Sequence, residues 1–195
     1  MVAVYDVLVG RGGGIGETRH LLTSISDSLQ REGKYYTDEI SKFVETLSLL
    51  EEDDQIQICS EIPDSFYAVI GQSPVRDSLD TFLAIYEKRV ERQSYSWSYA
   101  ETIADNMLQI FSTPDVPNSS KTKALVLAIK GAIYMNRFAA MGTCIAMITG
   151  IEDGDLALRV AAVILSFPNS FVARVEPSAC HSEPVRNAIR SIQKK

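Results

Sequence analysis

Apolar residues recur along the chain mostly at helical spacing. Between Glu17 and Glu32 they fall at Leu21, Leu22, Ile25 and Leu29, one stripe of a helix, and Gly33 follows as a stop. Thr37-Asp38-Glu39 opens a second helix with Ile40, Phe43, Val44, Leu47 and Leu50 on its apolar side, closed by the acidic run Glu51–Asp54. A short apolar piece, Ile56–Cys59, precedes Pro63, and Asp64 caps a predicted helix carrying Phe66, Tyr67 and Ile70. Ser73-Pro74 reads as an N-cap and first-turn pair for a helix with Val75, Leu79, Phe82, Leu83 and Tyr86 on one face. The next helix starts near Ser98 or Thr102 and buries Ile103, Met107, Leu108 and Phe111.

The last third has a different pattern. Ala124–Ile129 and Ala132–Met135 are apolar on nearly every face, as in a buried central helix. Phe138–Ile148 adds a helix rich in small residues, and Asp153-Gly154-Asp155 makes a turn and cap before an apolar helix from Leu156 to Phe167. Residues 168–182 read as irregular, and Ser182-Glu183-Pro184 starts a terminal helix with Val185, Ala188, Ile189 and Ile192 on one side. Only the opening segment, with Val2, Val4, Val7 and Val9, is β-prone. The expected fold is mainly α, a multi-helix bundle of about eight helices with a short β-prone N-terminal arm. Its expected divisions are an arm and glycine hinge over 1–16, an acidic helical subdomain over 17–112, a linker over 113–120 (Thr-Pro-Asp-Val-Pro-Asn-Ser-Ser) and an apolar, basic subdomain over 121–195.

Composition narrows the function classes. The chain has 195 residues, 46% hydrophobic and 23% charged, which is ordinary globular composition. A net charge of −6 argues against a polycation that coats nucleic acid along its whole length. Charge is uneven, however: carboxylates dominate the first 120 residues and cations the remainder, a pattern suited to complementary surfaces or a local acidic partner. No stretch has the ~18 uncharged apolar residues of a membrane span. The N-terminus lacks a basic n-region and carries Asp6, unlike a signal peptide. Cys59, Cys144 and Cys180 are few, odd in number and far apart, which points to a reducing, intracellular setting, cytoplasmic or nuclear, and supplies no zinc spacing. No metal ligands, catalytic residues or cofactor are assigned from sequence.

The run Gly10-Arg11-Gly12-Gly13-Gly14-Ile15-Gly16, between a β-prone segment and a helix, has the layout of a phosphate-binding turn. It resembles the GxxxGIG motif of short-chain dehydrogenases over about the first 33 residues. That resemblance implies a nucleotide-binding enzyme with a Tyr-xxx-Lys pair and an Asn-Ala-Gly motif. None of the eight tyrosines has Lys four residues on, and Asn-Ala-Gly is missing. The preferred reading is a glycine hinge behind an apolar arm.

Two basic constellations are candidate contact sites. Lys88, Arg89 and Arg92 precede Tyr95, Trp97 and Tyr99, a mix of cations and rings that suits single-stranded nucleic acid or a protein partner. Lys123, Lys130 and Arg137 recur every seven residues beside Lys121, and Arg186 and Arg190 make the terminal helix basic. The function these features favour is non-enzymatic: a helical assembly protein that self-associates into a homo-oligomer and docks another protein. An RNA- or DNA-associated protein using residues 88–99 and the basic helices is the alternative, and a nucleotide-binding enzyme built on residues 10–16 comes third.

Overall fold

The computed structural model describes the chain apart from residues 1–4, 34–35, 73–74, 93–96, 135–137 and 195, and gives the backbone alone at 5–13, 32, 97–102 and 134. Among the described residues there are eleven α-helices, one 3-10 turn and no strand. The mainly α expectation holds, with eleven helices in place of about eight. The chain divides into two compact units, residues 1–94 and 95–195.

The first unit contains α1 (Tyr5–Glu32), α2 (Thr37–Ser48), α3 (Glu52–Glu61), α4 (Asp64–Ile70) and α5 (Arg76–Glu91). The acidic run that ends α2 also begins α3, since Glu52, Asp53 and Asp54 lie in its first turn, where the helix dipole favours carboxylates. That run masked α3 as a separate helix in the sequence. α1 packs on α2, and α5 packs on both α2 and α3. Their shared core is aromatic: Phe66 meets Phe43, Tyr67 and Phe82 at centroid distances of 5.3, 6.2 and 5.6 Å, and Tyr86 adjoins Tyr67 and Phe82. Edge-on and tilted pairs of this kind add about 0.5–1.5 kcal/mol each beyond the burial of their area.

The glycine segment corrects one expectation. Residues 5–16 continue α1, so they form neither a β-prone arm nor a hinge, while Met1–Val4 lies outside the described residues. Nucleation is the costly step in helix formation. Once Ile25 and Leu22 anchor α1 in the core, extending it toward the N-terminus costs only the propensity deficit of each glycine, about 1 kcal/mol. At its other end Gly33 stops the helix as the sequence predicts: its φ is +61°, and its N–H donates to the Leu29 carbonyl at 3.2 Å.

The second unit contains α6 (Trp97–Ser112), α7 (Asn118–Tyr134), α8 (Phe138–Thr149), α9 (Gly154–Ile164), the short α10 (Asn169–Val172), a 3-10 turn at Pro177–Ala179 and α11 (Glu183–Gln193). Residues 113–117 of the proline-rich segment connect α6 to α7, which pack extensively against each other. Gly131 permits that approach, because a Cβ there would stand 2.9 Å from Ile103 Cγ2. α8 packs on α7 and α6, α7 lies beside α9, and α9 lies beside α11. α7 is buried on nearly every face, as its sequence predicts. α10 and the 3-10 turn lie in the stretch read as irregular. Gln193 holds this stretch to α11 by donating to the carbonyls of Val172 (3.1 Å) and Val175 (2.9 Å). Among the described residues, no helix is long and apolar enough to cross a membrane.

Candidate functional site

A phosphate-binding turn presents free backbone N–H groups at the start of a helix. Gly10–Gly16 instead lies inside α1, where N–H groups are committed to carbonyls four residues back. The cradle implied by the dehydrogenase resemblance is therefore not formed at these residues. Gly14 has a packing role: a Cβ at this position would stand 3.0 Å from Leu50 Cδ2. The Thr18 hydroxyl also donates to the Gly14 carbonyl at 2.7 Å.

The cations at the end of α5 face α3. Lys88 Nζ donates to Gln55 Oε1 at 3.3 Å, and Gln55 donates onward to the Ser48 and Leu50 carbonyls. Arg92 bridges Glu52 (2.7 Å) and Asp53, and its hydrogen bond to Asp53 holds its proton more firmly than usual. Arg89 is only 5% exposed and donates to the Cys59 carbonyl and, at 3.4 Å, to the Tyr86 hydroxyl, with its guanidinium over the Tyr86 ring. The three cations that precede the aromatic segment thus tie α5 to α3. Tyr95 lies outside the described residues, while Trp97 and Tyr99 begin α6 with only their backbone described.

In the second unit Lys121 donates to the Pro114 carbonyl at 3.3 Å. Lys123 and Lys130 share the one half-exposed stripe of α7 with Val126 and Ile133, and Arg137 lies outside the described residues. Arg186 is half-buried and donates to the Cys180 carbonyl at 2.6 Å, bracing the turn before α11, whereas Arg190 is exposed. Asp153 is the N-cap expected of it, accepting from the Leu156 N–H at 2.7 Å. Asn118 donates to both Asp153 (3.0 Å) and Asp155 (3.1 Å). Hydrogen bonds from Arg159 first, and Asn118 second, hold the Asp155 carboxyl below its ordinary range.

All three thiols are buried. Burial pushes Cys59 and Cys144 up to about 12, so neither is a thiolate near neutrality, and it raises Cys180 as well. Among the described residues no cluster of three or more His, Cys, Asp or Glu is placed to hold a metal ion.

The surface carries features the sequence reading missed. Leu158 of α9 and Leu165, the C-cap residue that follows it, are each 61% exposed and stand two turns apart with the exposed Ala162 between them. Phe138, exposed at the start of α8, lies under the Arg174 guanidinium at 5.0 Å. Leu49, at the corner between α2 and α3, is 79% exposed. It falls off the α2 stripe two residues before a run of four carboxylates, and that was the available signal. A pocket of about 180 Å³ lies between α7 and the residues after α9, lined by Val126, Lys130, Ile133, Ser166, Phe167 and Pro168. No known family, curated protein or solved structure matches this chain.

Proposed function

We propose that this chain is a non-enzymatic helical interaction protein that self-associates and docks a macromolecular partner. The observation that carries this reading is the apolar stripe on α9. Leu158, Ala162 and Leu165 occupy one face at i, i+4 and i+7, and both leucines remain largely in water. α9 has a well-formed buried face in Leu156, Ala157, Val160 and Ile164, so the outer stripe is not needed to fill the unit's own core. Clustered exposed apolar residues mark surfaces that dock protein. The i, i+4, i+7 spacing matches the way amphipathic helices meet a partner helix. The exposed Phe138–Arg174 stack adds an aromatic and an arginine, two residue types enriched where binding energy concentrates.

Light-scattering chromatography of the purified chain, with the ultraviolet absorbance ratio read on the same peak, tests this proposal. The expected result is a mass above the 21.5 kDa of one chain with the absorbance ratio of protein alone. A mass of one chain at every loading, or a peak carrying nucleic acid that nuclease treatment reduces to single chains, would contradict it.

A further inference from the structure

We propose that the hollow between the end of α8 and the start of α9 receives an arginine side chain of the docked partner protein. This rests on the partner docking proposed above and names its chemistry, and it does not depend on self-association. The hollow has a volume of about 240 Å³ and belongs wholly to the second unit. Phe111, Met147, Ile151 and Leu156 supply apolar walls, Glu152 and Asp153 supply carboxylates, and none of its lining residues is a cation.

Both carboxylates have acceptor capacity to spare. Asp153 takes its two bonds, from the Leu156 N–H and from Asn118, on Oδ1 alone, so its Oδ2 has no bond among the described residues. The Glu152 side chain is 82% exposed and meets His181 Nδ1 at 3.4 Å through Oε1, a contact that is an ion pair only while the imidazole is protonated. An apolar hollow with negative charge and no cation of its own is complementary to a side chain with an apolar stem and a cationic head. The volume is below the ~300–1,000 Å³ of small-molecule sites, so one long side chain fills it. Two carboxylates on consecutive residues favour a head that can serve both at once. The five N–H groups of a guanidinium do so, and its weak hydration suits it to apolar walls.

The test titrates the whole chain, methyl-labelled at methionine, with acetyl-Leu-Arg-Leu-amide at neutral pH and follows the Met147 methyl signal, assigned through Met147→Leu. A control peptide has citrulline in place of arginine, which keeps the shape of the side chain and removes its charge. The expected result is a saturable shift of the Met147 signal by the arginine peptide, at least roughly fivefold tighter than by the citrulline peptide, with the buried Met141 signal unmoved. A Glu152→Gln, Asp153→Asn chain keeps the oxygen that caps α9, holds its helix content by circular dichroism and binds the arginine peptide at least roughly fivefold more weakly. Glu152→Gln alone, at an exposed residue, weakens binding in the same direction and makes no demand on folding. No saturable shift, an equal response to both peptides, or undiminished binding by the folded variants overturns the site and leaves self-association standing. A chain of single-chain mass that binds the arginine peptide in this way loses self-association and keeps the site.

Discussion

The Arg89 guanidinium donates to the main-chain carbonyl of Cys59, whose donor within α3 would have been residue 63. Residue 63 is proline and has no N–H, so the carbonyl at the buried end of α3 lacks its helical partner. Arg89 supplies one from a helix thirty residues later, with its guanidinium over the Tyr86 ring. The cation that sequence pattern offers as a phosphate contact is, in the fold, the cap of another helix.

Arg89→Leu is therefore expected to destabilise the first unit by about 1–3 kcal/mol, the cost of an unsatisfied buried carbonyl. Arg92→Ala, whose ion pairs are exposed, is expected to change stability by less than about 1 kcal/mol. Urea unfolding of the two variants measures the difference.

Glycines inside helices give predictions of opposite sign. A Cβ at Gly16 meets nothing within 4 Å, so Gly16→Ala is expected to stabilise by up to about 1 kcal/mol through helix propensity alone. At Gly131 the added Cβ meets Ile103 Cγ2 at 2.9 Å, and a β-branched side chain has little room to turn. Gly131→Ala is expected to destabilise by roughly 1–3 kcal/mol. If Gly16→Ala destabilises instead, residue 16 is not helical.

Capping gives a third prediction. Asp153→Ala removes the acceptor for the Leu156 N–H and one of the two oxygens that hold Asn118. A loss of about 0.5–2 kcal/mol is expected, with Asp153→Asn retaining most of the stability because its side-chain oxygen still accepts.

The thiols predict an alkaline limit. Cys59 and Cys144 titrate near 9.0 when unfolded and at about 12 when folded, because burial disfavours the thiolate. The folded state holds these protons longer, so their contribution is fully present below 9.0 and is lost as pH rises from there toward 12. Urea midpoints should fall across that range and fall less in a Cys59→Ala, Cys144→Ala background. In the native protein near neutral pH, both thiols should resist alkylation until the chain is unfolded.

Most of the helices were legible because their buried faces repeat at 3.6 residues: Ile40, Phe43, Val44 and Leu47 on α2, and Leu79, Phe82, Leu83 and Tyr86 on α5, are all buried as the spacing implies. α3 was not, because ten residues with three carboxylates in the first turn show only a short apolar piece. Gly10–Gly16 misled for a related reason, since local propensity favours a loop there while the packed remainder of α1 extends the helix through it. The cations were legible as residues but not as roles. Whether Arg89 meets a phosphate or a carbonyl depends on Pro63, which is distant in sequence. Leu158 and Leu165 were illegible as surface because exposure is fixed by which faces neighbouring helices cover.

Sedimentation equilibrium of the wild-type chain over a range of concentrations, at low and high salt, tests self-association most directly. The account predicts a weight-average mass that exceeds 21.5 kDa and climbs with concentration. A mass of 21.5 kDa at every concentration and both salt levels would contradict it.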